Sequence, residues 1–275
     1  MNDLPGAIRA PHELVGGWDR QQEVRKGKQD PLADLDVVYV YLDGFALRVR
    51  TAGKVVSVPV LGVVGVLTDG RKHLLALELC AGESLAAWKG CLDDLVARGL
   101  RAPVLAIIDG NAGLRRAVGE IWPRAAVQRC CVHKLRNVER KAPKHAFAEI
   151  RDDFHRIVYA ASADAARAAY ATFERVWGKR CPGVARSLKE GGDELLTFFR
   201  FPIAQWKALR TTNTIERLHE EFRRRVKTQG SLPTEDAALV CSSASWRAGR
   251  SSCAGSMAGR ESPPWFASPP RWQHD

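Results

Sequence analysis

The stretch from residue 37 to residue 79 leaves little freedom of topology. Three runs rich in β-branched and aromatic residues, 37–42, 55–67 and 73–79, are separated by the turn signals Ala52-Gly53-Lys54 and Asp69-Gly70-Arg71. Branched side chains suit a pleated, half-buried surface, and connections of two or three residues can join only antiparallel neighbours. The pattern predicts a three-stranded meander. Phe45-Ala46-Leu47-Arg48-Val49-Arg50 carries the first run on to the turn at Gly53, so Asp43 is expected inside one long strand.

The chain then changes period. Leu85, Trp88, Leu92 and Leu95 recur at helical spacing over residues 84–97, with Ser84 as cap and Gly99 as stop. Residues 104–108 form a short, wholly apolar run of the kind buried in parallel strands, and Asn111 can cap a helix running through Val118. A brief strand is expected at 125–130. This order predicts an α/β fold, a mixed sheet flanked by helices. From 133 to about 199 the sequence reads as helices, among them 147–159, 163–177 and 194–199. A further helix over 213–227 turns Ile215, Leu218, Phe222 and Val226 inward and leaves Arg217, Arg224, Arg225 and Lys227 for solvent or phosphate.

Composition narrows the partner. The 275 residues hold 42 Lys and Arg against 31 Asp and Glu, a net charge of +11, which favours a polyanion through counterion release. Nucleic acid is the first expectation and a merely soluble basic protein the alternative. Residues 1–17 lack a basic start followed by an apolar stretch, and the apolar run 55–67 is interrupted by Pro59, Gly62 and Gly65, so no secretory or membrane-spanning segment is expected and the reading is cytoplasmic. Seven cysteines in no regular framework suggest reduced thiols.

Three acids stand out: Asp43 in Tyr-Leu-Asp-Gly-Phe, Asp109 in Ile-Ile-Asp-Gly-Asn, and Glu216 in Thr-Thr-Asn-Thr-Ile-Glu-Arg. Carboxylates that converge repel one another unless a divalent cation neutralises them, which marks the trio as a candidate metal-dependent phosphodiester site. Each also has a structural reading: a hairpin turn at Asp43-Gly44, a strand-to-helix turn at Asp109-Gly110, a capping box from Asn213 to Glu216. Glu220 is a rival third ligand, with pairing to Arg224 as its simpler role. Cys130 and His133 have a Cys-x-x-His spacing, yet no second pair completes a zinc site, so a buried thiol and a helix-start imidazole are expected. Lys134, Arg136, Arg140, Lys141 and Lys144 follow as candidate phosphate contacts.

Those acidic motifs, with Gln-Arg-Cys-Cys-Val-His-Lys at 128–134 and Arg-Thr-Thr-Asn-Thr-Ile-Glu-Arg-Leu-His-Glu-Glu-Phe-Arg-Arg-Arg-Val-Lys at 210–227, resemble in order the Mutator-type bacterial insertion-sequence transposases over residues 34–240. The resemblance implies a ribonuclease-H-like core (35–132 and 206–240) with an all-helical insertion (133–205) between the second Asp and the Glu. It implies that Asp43, Asp109 and Glu216 are the catalytic Asp-Asp-Glu ligands of two Mg²⁺ ions, with Mn²⁺ as substitute, and that Cys130 and His133 are a signature beside the site. DNA-contacting residues would be Lys134, Arg136, Arg140, Lys141, Arg217, Arg224, Arg225 and Lys227. The implied activity is DNA cleavage and strand transfer on transposon ends and target duplex, by a homodimer without membrane association.

Three departures qualify the match. Many relatives carry a Trp ahead of Leu-Thr-Phe-Phe, where this chain has Glu190-Gly191-Gly192-Asp193. Residues 1–34 read as a polar leader in place of a helical DNA-binding region, and residues 241–275 contain no Val, Ile or Leu but eight Ser, four Pro and three Trp, as a disordered tail or shifted reading frame would. The expectation is a transposase-derived core truncated at its N-terminal side and altered at its C-terminal side. A catalytically silent DNA-binding regulator and a ribonuclease-H-like nuclease are the alternatives.

Overall fold

Residues 31–51, 54–216 and 219–220 are described by a computed structural model, apart from the side chains of 48–51 and 54–56. The expected leader up to residue 30, the tail after 240, and Arg217, Arg224, Arg225 and Lys227 lie outside the described residues.

Five strands make one sheet in the order β3-β2-β1-β4-β5. The meander is β1 (Val37–Thr51), β2 (Lys54–Leu67) and β3 (Lys72–Leu79), antiparallel throughout. The turn between β2 and β3 takes Gly70 at φ 81°, in the left-handed region that glycine enters at no steric cost. β4 (Leu105–Ile108) and β5 (Ala126–Arg129) add in parallel. Parallel pairing needs a crossover, and helices α1 (Leu85–Ala97) and α2 (Ala112–Ile121) supply it. The Ser84 side chain accepts from Ala87 N and that of Asn111 from Leu114 N, as their capping positions in the sequence predict.

Alternation along β1 separates two apolar layers. Val40 and Leu42 face α1 and α2, where they meet Trp88, Leu92, Leu114 and Val118. Tyr39, Tyr41, Phe45 and Leu47 face the opposite side and share a core with Ile150, Phe154, Phe173, Trp177 and Leu188. This second layer comes from α3 (Cys131–Glu139), α4 (Phe147–Val158), α5 (Ala163–Arg180), α6 (Pro182–Gly191) and α7 (Ile203–Leu209). The architecture is α/β, a ribonuclease-H-like mixed sheet flanked by helices, with helices between the second Asp and the Glu.

One element differs from expectation. Residues 194–199 are two 3-10 turns, Gly192–Leu195 and Thr197–Arg200, rather than a helix. Gly192 ends α6 at φ 52°, and Leu195 and Phe198 are both pulled into the core, which breaks the run into short pieces.

Candidate functional site

Leu42 of β1 pairs in register with Ile108 of β4, so the residues that follow, Asp43 still within β1 and Asp109 just past the end of β4, stand side by side at the same level. Asp43 shares the face of Tyr41 and Phe45 and is 4% exposed. Opposite it on β2 is Gly62, where a Cβ would stand 3.2 Å from Ile215 Cδ1, so the missing side chain lets the segment carrying the third acid close on the sheet. At Asp109 the chain turns through Gly110 at φ 110°, and Asp109 Oδ1 accepts from Asn111 N at 2.8 Å.

Glu216 is brought in by a chain of anchors. Tyr39 Oη donates to Gln205 Oε1 and Tyr41 Oη to the Ala208 carbonyl, tying α7 to β1. Cys131 N donates to the Arg210 carbonyl, and Thr212 N and Oγ1 each lie 3.3 Å from Cys130 Sγ as donors. The helix beginning at 213 uses Thr212 as its cap, its carbonyl accepting from Glu216 N at 3.0 Å; Asn213, the cap that the box pattern predicts, is one position inside and exposed. Thr212 wins because its hydroxyl is already held between Cys130 and His133 Nδ1, at 3.3 Å from each.

The Cys-x-x-His pair therefore joins the Glu216 segment to the end of β5. His133 Nε2 lies 3.5 Å and Arg136 Nη1 3.6 Å from Glu216 Oε1, a buried oxygen with no hydrogen-bond partner among the described residues. His133 is raised to about 9, chiefly by its hydrogen bond with Cys130 against the opposing effect of burial, and further by Asp43 and Glu216. Burial alone would push the Cys130 thiol up, yet His133 and Thr212 outweigh it and hold it below its usual value.

Electrostatics registers the convergence of the three acids. Burial, then Asp109, Glu216 and Glu83, push the Asp43 carboxyl up to about 7, with His133 opposing them. Two participants escape a reading of the sequence. Glu83, just ahead of α1, lays its carboxyl over Gly44, where a Cβ would lie 2.2 Å from Glu83 Cδ; burial and then Asp109 raise it, against a hydrogen bond with Asn111. Its only signal is an acid beside the capping Ser84. His219 stacks on Phe45 with centroids 3.9 Å apart and puts Nδ1 3.5 Å from Asp43 Oδ2. It follows Glu216 by three residues, on the same helical face.

The basic residues divide. Arg136 is half-exposed beside Glu216, and Arg140 and Lys141 are exposed at the end of α3. Lys134 corrects the expectation of a phosphate contact: it is 2% exposed, and its ammonium donates to the Ser187 carbonyl at 2.8 Å and to Glu190 Oε2 at 3.3 Å. Glu220 is exposed, and its proposed partner Arg224 lies outside the described residues.

Among the described residues, no three His, Cys, Asp or Glu side chains form a ready-made ion cage. Mg²⁺ does not require one, since it keeps several waters and binds through one or two carboxylates plus phosphate oxygens. The donor set fits such an ion: Asp43 lies in the mutual field of Asp109, Glu216 and Glu83, where added positive charge relieves repulsion. Among the described residues no helix is long and apolar enough to cross a membrane.

Residues 20–244 match the family model described as Transposase, Mutator family. The chain is 38% identical over 201 residues to the transposase for insertion sequence element ISRM5 of Rhizobium meliloti (strain 1021), covering 73% of this chain and 50% of that protein. It is 35% identical over 242 residues to the transposase for insertion sequence element IS6120 of Mycolicibacterium smegmatis, covering 86% and 74%. With the transposase for insertion sequence element IS1081 of Mycobacterium tuberculosis (strain ATCC 25618 / H37Rv) the identity is 34%, covering 74% and 49%. The chain thus spans about half the length of two of these relatives and three quarters of the third.

Proposed function

The chain belongs to the Mutator family of transposases, and from that membership and the cluster of acids around Asp43 we propose that it carries the catalytic core for cutting and joining DNA in the movement of an insertion sequence. The observation that supports this most is Asp43, a buried carboxyl on the central strand raised to about 7 in the company of Asp109, Glu216 and Glu83. A carboxylate so destabilised in the metal-free protein gains most from a divalent cation.

Asp43, Asp109 and Glu216 would hold Mg²⁺, with Mn²⁺ as a substitute. When bound, the two ions supply Lewis-acid activation of a water or a DNA 3′-hydroxyl and stabilise the departing oxygen. The protein's own residues do the rest. Thr212, Cys130 and His133 fix where Glu216 enters. Arg136, Arg140 and Lys141 offer positive charge to the DNA backbone, and at +11 the chain as a whole attracts the duplex. The working unit is a homodimer on paired transposon ends.

The test uses the full chain with oligonucleotides carrying the element's ends and Mg²⁺. The wild type yields cleaved and joined strands. Asp109→Asn removes a charge with little change of shape and should abolish both products while salt-dependent DNA binding persists. Products that survive the substitution overturn the assignment, and nicks without joined strands turn it into a nuclease.

A further inference from the structure

The block Gln128 to Lys134 faces two ways. Cys130 and His133 serve the Glu216 segment, whereas Gln128, Arg129 and Lys134 point at the stretch 187–198, which ends α6 and begins the 3-10 turns. Fully buried Gln128 donates to the Leu195 carbonyl at 3.1 Å and accepts from Phe198 N at 2.8 Å. Arg129 donates through Nη1 to the Glu190 carbonyl at 2.8 Å, and Lys134 donates to that of Ser187 at 2.8 Å. The Glu190 carbonyl belongs to the last turn of α6, where a helix leaves its acceptors unpaired and carries partial negative charge, and that of Ser187 lies about one turn back.

Arg129 has a second reach. Its Nη2 donates to the Gly110 carbonyl at 2.6 Å, so one guanidinium bridges the end of α6 and the residue next to Asp109. A Cβ on Gly110 would stand 2.5 Å from that Nη2, so glycine serves both the φ of 110° and the approach of the arginine. The arrangement is costly. Arg129 is 8% exposed, its Nε has no hydrogen-bond partner among the described residues, and it shares its surroundings with the buried ammonium of Lys134. Burial and then the Arg129 charge hold Lys134 below its usual value. Two buried cations side by side are an expensive way to pack a helix on a sheet, since apolar residues do so at lower cost. Arg115, on α2 just past the Asp109 turn, meets Glu194 at 2.5 Å and adds a second link to the same stretch.

We propose that Arg129 is a positioning residue that makes the geometry of the Asp109 turn depend on the seating of the helical insertion. The inference rests on the proposed function above. A lysine at 129 has a single ammonium and cannot reproduce the two-pronged bridge.

The experiment titrates Mn²⁺ into the full-length Arg129→Lys and Arg129→Gln proteins by electron paramagnetic resonance, with circular dichroism to verify folding and kcat and KM for Mg²⁺ measured on DNA. Mn²⁺ affinity should fall tenfold or more in Arg129→Gln and recover only partly in Arg129→Lys, with KM for Mg²⁺ rising in parallel. Affinity within twofold of wild type in both folded variants overturns the proposal, because a purely structural tie would lower stability and leave ion binding alone. Should the variants not fold, hydrogen exchange on the wild type decides. Mn²⁺ should slow exchange in 109–114 and in 187–196 together, and protection confined to 109–114 overturns the coupling. Asp109→Asn in the same titration keeps the two readings apart. Unchanged Mn²⁺ affinity there refutes the assignment of the acids itself, whereas lost affinity there with normal Arg129 variants refutes the positioning role alone.

Discussion

Replacing Asp43 with Asn should stabilise the metal-free protein while abolishing its chemistry. The Asp43 side chain is almost wholly buried on the central strand, and its carboxyl rises from 3.8 to about 7, first through burial and then through Asp109, Glu216 and Glu83. A carboxyl whose folded pKa is raised contributes its stability below the unfolded value and loses it as pH climbs toward the folded one. The penalty therefore accrues between about pH 4 and pH 7 and is constant above that. Its full size is about 4 kcal/mol at 1.36 kcal/mol per pKa unit, reduced to roughly 2–4 kcal/mol by relaxation of the surroundings. Asn keeps the shape and drops the charge, so the gain should be near zero at about pH 4 and reach roughly 5–12 °C in Tm at about pH 8. Urea and thermal unfolding in the presence of a chelator, at several pH values, measure it. Adding Mg²⁺ should raise the Tm of the wild type and leave that of Asp43→Asn unmoved. A gain of the same size at both ends of the pH range, or a loss at high pH, refutes the argument that repulsion among these acids governs the site.

Two further outcomes follow from the same geometry. Gly110→Ala must place a side chain at φ 110° against the Arg129 guanidinium, which should cost about 1–3 kcal/mol in urea unfolding and weaken Mn²⁺ binding as well. His133 is raised to about 9 in the folded protein, so the stability it supplies is full below the unfolded value of 6.5 and drains away as pH rises through 9. His133→Gln should accordingly lose about 1–3 kcal/mol near pH 6 and converge on the wild type above pH 9, as read from unfolding curves.

The strands and helices around the three acids are legible because their signals are local. Alternation over 37–50 carries β1 straight past Asp43-Gly44 and rules against a hairpin there, and β1 does run Val37–Thr51. The short turns allow only antiparallel neighbours, and the apolar run before Asp109 has the length and composition of a buried strand, which is β4. Asp43, within β1, and Asp109, just past β4, each follow the in-register pair Leu42 and Ile108, so their neighbourhood follows from the topology.

What the sequence determined by itself is the set of elements and the three acids they carry, because period, turn chemistry and apolar runs act over a few residues. The tertiary structure decided which side chains keep company with those acids. Glu83 lies over Gly44 and His219 against Phe45 only because distant segments close on the sheet. Lys134 belongs to a basic run like any solvated helix face, and packing against the end of α6 is what buries it. Charge energies depend on distance and burial in space, and neither quantity is written in the spacing of residues along a chain.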